Sequence, residues 1–179
     1  FFLLEKMEEI SIPSTFIEID DLTFSSCSSL VSVTIPATIS NIGSMAFINC
    51  FNLKTVICEA NINIIPSRCF ENCTALTSIT LPKTIVDIGE MAFLNCVSIL
   101  SIKLPEGLKS ISQMAFYNCQ ILDEVVLPNS LEYIGFNSFG YCLNNRQFTI
   151  SENKFFSTEN GVLFNQNKDT LLLYPSGKY

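Results

Sequence analysis

The sequence predicts an α/β repeat solenoid in which every coil adds one short strand to a stacked parallel sheet. Three observations carry this reading. Phe24, Phe47, Phe70, Phe93, Phe116 and Phe139 recur every 23 residues, and Cys27, Cys50, Cys73, Cys96, Cys119 and Cys142 keep the same period. Ile19, Ile42, Ile65, Ile88, Ile111 and Ile134 form a further complete column in phase with both. Pro13, Pro36, Pro82, Pro105 and Pro128 do the same, with Glu59 in their one vacancy. A fixed period of this length belongs to coils that bury their apolar side only against neighbours, so that no coil is stable alone.

Within one unit, Ile79 and Leu81 alternate with polar Ser78 and Thr80, the pattern of a half-buried strand. Pro82 and its equivalents end that strand, because proline donates nothing to a ladder and holds its predecessor extended. Residues 84–89 then place apolar side chains three apart. Residues 90–96 read as about two turns of helix at most. Twenty-three residues leave no room for a long helix, so the convex side is expected to carry short helical or 3-10 turns and the concave side one parallel sheet. Gly43, Gly89 and Gly135 share a column with Asp20, Pro66 and Ser112. Proline cannot take a positive φ, so close packing explains these glycines better than a left-handed turn.

The solenoid is expected over residues 1–150. It opens on a partial repeat, residues 1–12, since Phe1, Met7, Ile10 and Ile12 fall in the columns of Phe24, Leu30, Val33 and Ile35. Further coils are expected upstream. Beyond residue 150 the period fails, with Val162 and Asn165 where Phe and Cys are due. Residues 161–164, a polar turn at 165–169 and residues 170–175 read as a β-hairpin, so 151–179 is expected to be a hairpin insert leading to a further repeat.

The unit Cys-x-x-Leu-x-x-Ile-x-Leu-Pro-x-x-Ile-x-x-Ile-Gly-x-x-Ala-Phe-x-x-Cys, read from Cys73 to Cys96 and with small changes from Cys27 to Cys142, resembles the 23-residue treponemal or BspA-like leucine-rich repeat. The resemblance covers residues 1–150, and the hairpin is similar to the Gly-Val-Leu-Phe plus Tyr-Pro-x-Gly-Lys element that separates repeat blocks in that family. It implies a leucine-rich-repeat right-handed superhelix. It also implies a cell-surface or extracellular location and a role in adhesion to host matrix proteins and cells.

Composition narrows the function class. Ten Lys and Arg against 17 Asp and Glu give a net charge of −7, which disfavours a nucleic-acid partner. The apolar runs are far shorter than the roughly 20 residues of a membrane span. There is no His for general-base work, no Gly-rich phosphate loop and no recurring carboxylate pair, so the chain reads as non-catalytic and without a cofactor. Eight cysteines without His or Cys-x-x-Cys read as a buried ladder of free thiols rather than a metal site. Adjacent rungs near 4.8 Å suit no disulfide. Cys58 and Cys69 lie off the ladder and are assigned to core packing, and the Phe column to a stack of rings. Asn49, Asn72, Asn95 and Asn118 are assigned to satisfying backbone groups in the turns, which makes the sequon at Asn72 a poor glycan acceptor.

What remains is the outward side of the strands: Ser32, Thr34, Thr55, Ile57, Ser78, Thr80, Ser101, Lys103, Glu124 and Val126. These are the candidate protein-binding residues, and Ser and Thr there are equally what a plain solvated sheet shows. Ile57, Lys103, Glu124 and Val126 depart from that plainness, and the hairpin competes as a contact site. A protein partner, host matrix or cell-surface protein by resemblance, is expected, with end-to-end or face-to-face self-association as a further expectation. Two alternatives stand beside the surface module: an intracellular scaffold, which unpaired cysteines suit, and a structural spacer with no ligand.

Overall fold

The computed structural model describes residues 8–178. Phe1 and Met7, placed above in the columns of Phe24 and Leu30, lie outside the described residues. Glu9–Ser11, Ser32–Ile35, Thr55–Cys58 and Ser78–Thr80 form a four-stranded parallel sheet in which Ile10, Val33, Val56 and Ile79 stand in register. That register is the 23-residue column of the sequence. Glu59, where other coils have proline, keeps its N–H and donates to Ile35 O at 2.9 Å, extending the pairing by one residue.

The single sheet expected from the sequence is in fact broken. Residues 101–104, which occupy the strand position of their coil, form no strand, and pairing resumes only with Glu124–Val126 against Gln147–Thr149. A second row of two-residue strands, which the sequence reading lacked, runs along the Ile column. Glu18–Ile19 pairs with Asn41–Ile42, and Ile64–Ile65, Asp87–Ile88, Ser110–Ile111 and Tyr133–Ile134 pair in succession. Gly43, Gly89, Ser112 and Gly135 each donate an N–H to the Ile carbonyl one coil back, at 2.7–2.9 Å. Pro66 has no N–H to give Ile42, and the row is interrupted there.

The expected helical or 3-10 turns are absent, and no helix occurs among the described residues. The reason is local. Each coil places two non-glycine residues four apart in the left-handed region: Met45 and Asn49, Arg68 and Asn72, Met91 and Asn95, Met114 and Asn118, all with φ of 53–61°. Alternate N–H groups therefore point along the solenoid axis, as Met45 N, Phe47 N and Asn49 N do to Ser67 O, Cys69 O and Glu71 O at 2.8–3.0 Å. Those between close i→i−3 turns, as Ile48 N does to Met45 O. A helix would need every donor for itself. Asn tolerates positive φ and half announces this in the sequence, whereas Met gives no such signal.

The three glycines have no positive φ and sit where coils touch. A Cβ at Gly89 would lie 2.7 Å from Ser67 N, and one at Gly135 2.3 Å from Gln113 N, both backbone atoms of the preceding coil. Close packing is thus their role.

Inside the solenoid the side chains stack in files. Rings of Phe24, Phe47, Phe70, Phe93, Phe116 and Phe139 stack at centroid spacings of 5.1–5.4 Å and tilts of at most 16°. The ring of Phe148 closes the file edge-on at 5.4 Å. Each ladder thiol from Cys50 onward donates to a Phe carbonyl 26 residues back, Cys96 Sγ to Phe70 O at 3.1 Å for example. The asparagines bond one another rather than the backbone: Asn72 donates to Asn49, Asn95 to Asn72 and Asn118 to Asn95 at 2.7–2.9 Å. Tyr141 ends that column, in the same left-handed conformation but without an amide to continue the chain.

Past residue 150 the hairpin of the sequence reading is a three-stranded antiparallel sheet, Phe156–Glu159, Val162–Asn165 and Leu171–Leu173. Its first turn, Asn160-Gly161, has φ of 50° and 76°, which Asn and Gly accommodate. Asn153 fastens this sheet to the solenoid. Its Oδ1 accepts from Phe155 N and Phe156 N, and its Nδ2 donates to Asn129 O and Leu131 O, at 2.7–2.9 Å.

Candidate functional site: the strand face

The strand face is positioned by the alternation within each strand. Val33, Ile35, Val56, Cys58, Val125 and Leu127 turn inward and are buried, so the residues between them turn outward. Of the ten candidate residues, Thr34, Ile57, Ser78, Thr80, Ser101, Lys103, Glu124 and Val126 are exposed, while Ser32 and Thr55 are half-buried. Strand pairing brings most of them into two files, Ser32, Thr55, Ser78 and Thr34, Ile57, Thr80, with partners adjacent across the sheet. Glu124 and Val126 belong to the second piece of sheet, beside Gln147 and Thr149.

Ser101 and Lys103 lie in the break. Ser101, Ile102, Lys103 and Leu104 make no backbone hydrogen bond among the described residues, although Ile102 and Leu104 stay buried. Two openings flank this segment. One of about 300 Å³ lies between it and Ile79, Thr80, Leu81 and Lys83. The other, of about 570 Å³, lies between residues 100–106 and Asp123, Glu124 and Val126. Leu100, Glu106 and Asp123 line the larger opening and were missed from sequence, because residues 97–105 carry the same strand pattern as residues 74–82. Asp123 is held by Arg146 at 3.5 Å, a surface pair of small energetic weight.

The thiols offer no reactive site. All eight cysteines are free and buried. Burial pushes the Cys142 thiol up to about 12 and those of Cys27 and Cys58 to about 11, with Cys69, Cys73, Cys96 and Cys119 also raised, whereas the side-chain hydrogen bond with Cys73 holds the buried Cys50 thiol below the ordinary value. A folded-state pKa above the unfolded value gives stability that is full below the ordinary thiol value of 9.0 and is lost as pH rises through about 11 to 12. Urea midpoints are therefore expected to fall between pH 8 and pH 11, and iodoacetamide at pH 8 is expected to label the thiols only as the chain unfolds. Native-state labelling at a rate close to that of the unfolded chain would contradict the ladder's burial. Asn72, within the sequon, has its amide nitrogen committed to Asn49 and its oxygen to Asn95.

The geometry is that of stacked 23-residue coils with a Phe file, a Cys file and an Asn file, and the profile of the BspA type leucine rich repeat region matches it in six copies over residues 1–120 and 63–172. The chain belongs to the BspA-type leucine-rich repeat family. Solved relatives agree. A leucine-rich repeat protein from Bacteroides ovatus is 35% identical, with a TM-score of 0.72 over 79% of this chain and 36% of its own. One from Eubacterium ventriosum is 27% identical, with a TM-score of 0.74 over 88% of this chain and 41% of its own. The leucine-rich repeat protein of T. pallidum is 29% identical, with a TM-score of 0.57 over 81% of this chain and 59% of its own. This chain thus spans between about a third and three-fifths of the structures it matches. No curated protein matches it. Leucine-rich repeat folds are typically non-catalytic and generally used in protein binding, and among the described residues no helix is long and apolar enough to cross a membrane.

Proposed function

We propose that this chain is a protein-binding module of a surface or secreted BspA-type protein, serving adhesion or host-protein recognition through its strand face. One observation carries the reading. The outward side chains of successive coils are held in register on a rigid support, and between Thr80 and Val126 that support opens into two clefts. A rigid array costs little conformational entropy on binding, and clefts supply the concave contacts that a flat hydroxyl surface lacks. The surface location and the adhesive role rest on the family's resemblance to proteins of oral and treponemal bacteria.

The test is surface-plasmon binding of the chain to matrix proteins, plasma proteins and cell-surface extracts, beside a Ser78→Arg, Thr80→Arg double variant. Both side chains are exposed, so the core is untouched. Saturable binding that falls at least tenfold in the variant is the expected result. Binding kept by both would move the contact to the three-stranded sheet or the turns. No binding to any of them would favour a spacer. Eight free thiols favour a second reading, an intracellular scaffold built on the same face. A secretion signal in the complete gene would exclude that alternative.

A further inference from the structure

We infer that the break in the strand face at residues 101–104 is a docking slot for an extended polypeptide segment bearing a carboxylate. The inference rests on the protein-binding reading and specifies the chemistry of the partner.

The partner's backbone follows from what this coil leaves unmade. Elsewhere on the face each strand position pairs with at least one neighbouring coil, as Val56 does with Val33 and Ile79 and as Val125 does with Phe148. Residues 101–104 pair with neither neighbour. The segment is not a frayed end. Leu100 O accepts from Asp123 N at 3.2 Å, Pro105 O accepts from Leu108 N at 3.0 Å, and Lys109 N donates to Val86 O at 2.8 Å. An extended run of donors and acceptors, anchored at both ends and left open between, is complemented by another extended backbone, which is how sheet edges capture peptides.

The carboxylate follows from charge. Lys83 and Lys103 line the smaller opening together with Ile79, Thr80, Leu81 and Pro105, and no acid lines it. Both lysines are exposed and, among the described residues, make neither an ion pair nor a hydrogen bond. Two unengaged cations facing one cleft are notable in a chain of net charge −7. The larger opening, on the other side of the segment, shares Lys103 but carries Glu106, Asp123 and Glu124 and would repel the same carboxylate, which favours the side of the break that faces Thr80 and Lys83. Half-buried Ile79 and Leu81 give apolar side chains flanking the acid a surface to cover.

The experiment uses a fluorescein-labelled nonapeptide of alternating Thr and Val with a central Glu, a matched peptide with a central Lys, and the acidic peptide N-methylated at alternate residues. Hydrogen exchange is followed in parallel. In the free chain the amides of residues 102–104 are expected to exchange at least a hundredfold faster than those of Val56 and Ile57, and to slow when the acidic peptide saturates. The acidic peptide is expected to bind saturably, with at least tenfold loss on N-methylation, on replacing its Glu by Lys, and in the Lys83→Glu, Lys103→Glu double variant. Unchanged melting of that variant would show that its core is intact. Protection of 102–104 in the free chain equal to that of 56–57 would overturn the inference, as would equal binding of acidic and basic peptides or no binding of either. Loss of protein binding in the Ser78→Arg, Thr80→Arg variant alongside a silent acidic peptide would leave the binding module standing and sink the slot alone.

Discussion

Phe93→Ala is expected to destabilise the chain by about 3–5 kcal/mol, the range for deleting a buried aromatic ring whose cavity cannot collapse. Phe93 is wholly buried and stacks on Phe70 at 5.4 Å and on Phe116 at 5.1 Å, so its loss removes two ring contacts and leaves a void in mid-file. Coils take their stability from their neighbours, so the damage should spread. Amides of the coils on both sides are expected to exchange faster, not only those beside residue 93. Urea unfolding followed by circular dichroism measures the loss. Phe136→Ala is the control, since that ring is 72% exposed and its removal should change stability by no more than about 0.5 kcal/mol. Equal midpoints for the two variants would mean that the file is not the core.

Gly135→Ala is expected to cost about 3 kcal/mol, at or beyond the upper end of ordinary overpacking. The added methyl would lie 2.3 Å from Gln113 N and 2.5 Å from Ser112 C, backbone atoms that cannot rotate aside. The coils must separate there, which strains the Gly135 N–H bond to Ile111 O at 2.7 Å and the Phe116–Phe139 stack beyond it. Gly107→Ala makes the comparison sharp. Its methyl would meet nothing nearer than Lys83 O at 3.7 Å, and the backbone is not left-handed, so the change is expected to be neutral or to stabilise by about 0.4–1 kcal/mol through the unfolded chain. Identical urea midpoints for the two alanine variants would show that the coils are farther apart at residue 135 than at contact distance.

Why these two positions are so sensitive was partly legible in the sequence. A Phe every 23 residues has one economical explanation, a ring at the same depth in each coil, and the rings do stack. The cysteine column reads the same way, since a thiol too regularly spaced for a disulfide and lacking His partners is left with packing. Gly135 was read as a close approach because Pro66 and Ser112 share its column, and that too holds. The turn column was harder. Asn49, Asn72, Asn95 and Asn118 were read as caps for the backbone, yet their amides join one another across coils. A repeat shows that the same residue recurs, but not whether it faces its own coil or the next. The helical expectation at residues 90–96 failed for a similar reason. Local propensity counts only the bonds a segment makes within itself, whereas here every second donor is taken by the following coil.

The strand face divides along the same line. That Ser78, Thr80 and Lys103 point outward follows from alternation with inward Ile79 and Ile102, a property of single strands. That residues 101–104 stand apart from both neighbours does not, because Ile-Leu-Ser-Ile-Lys-Leu-Pro at 99–105 matches the repeat as well as Leu-Thr-Ser-Ile-Thr-Leu-Pro at 76–82 does. By itself the sequence determined the period, the coil, the buried files and the outward face, since each is a periodicity that one chain direction expresses. Only the tertiary structure decided where coils pair and where they part, because pairing depends on the spacing of two backbones, set by the files of rings, thiols and amides packed between and beside them.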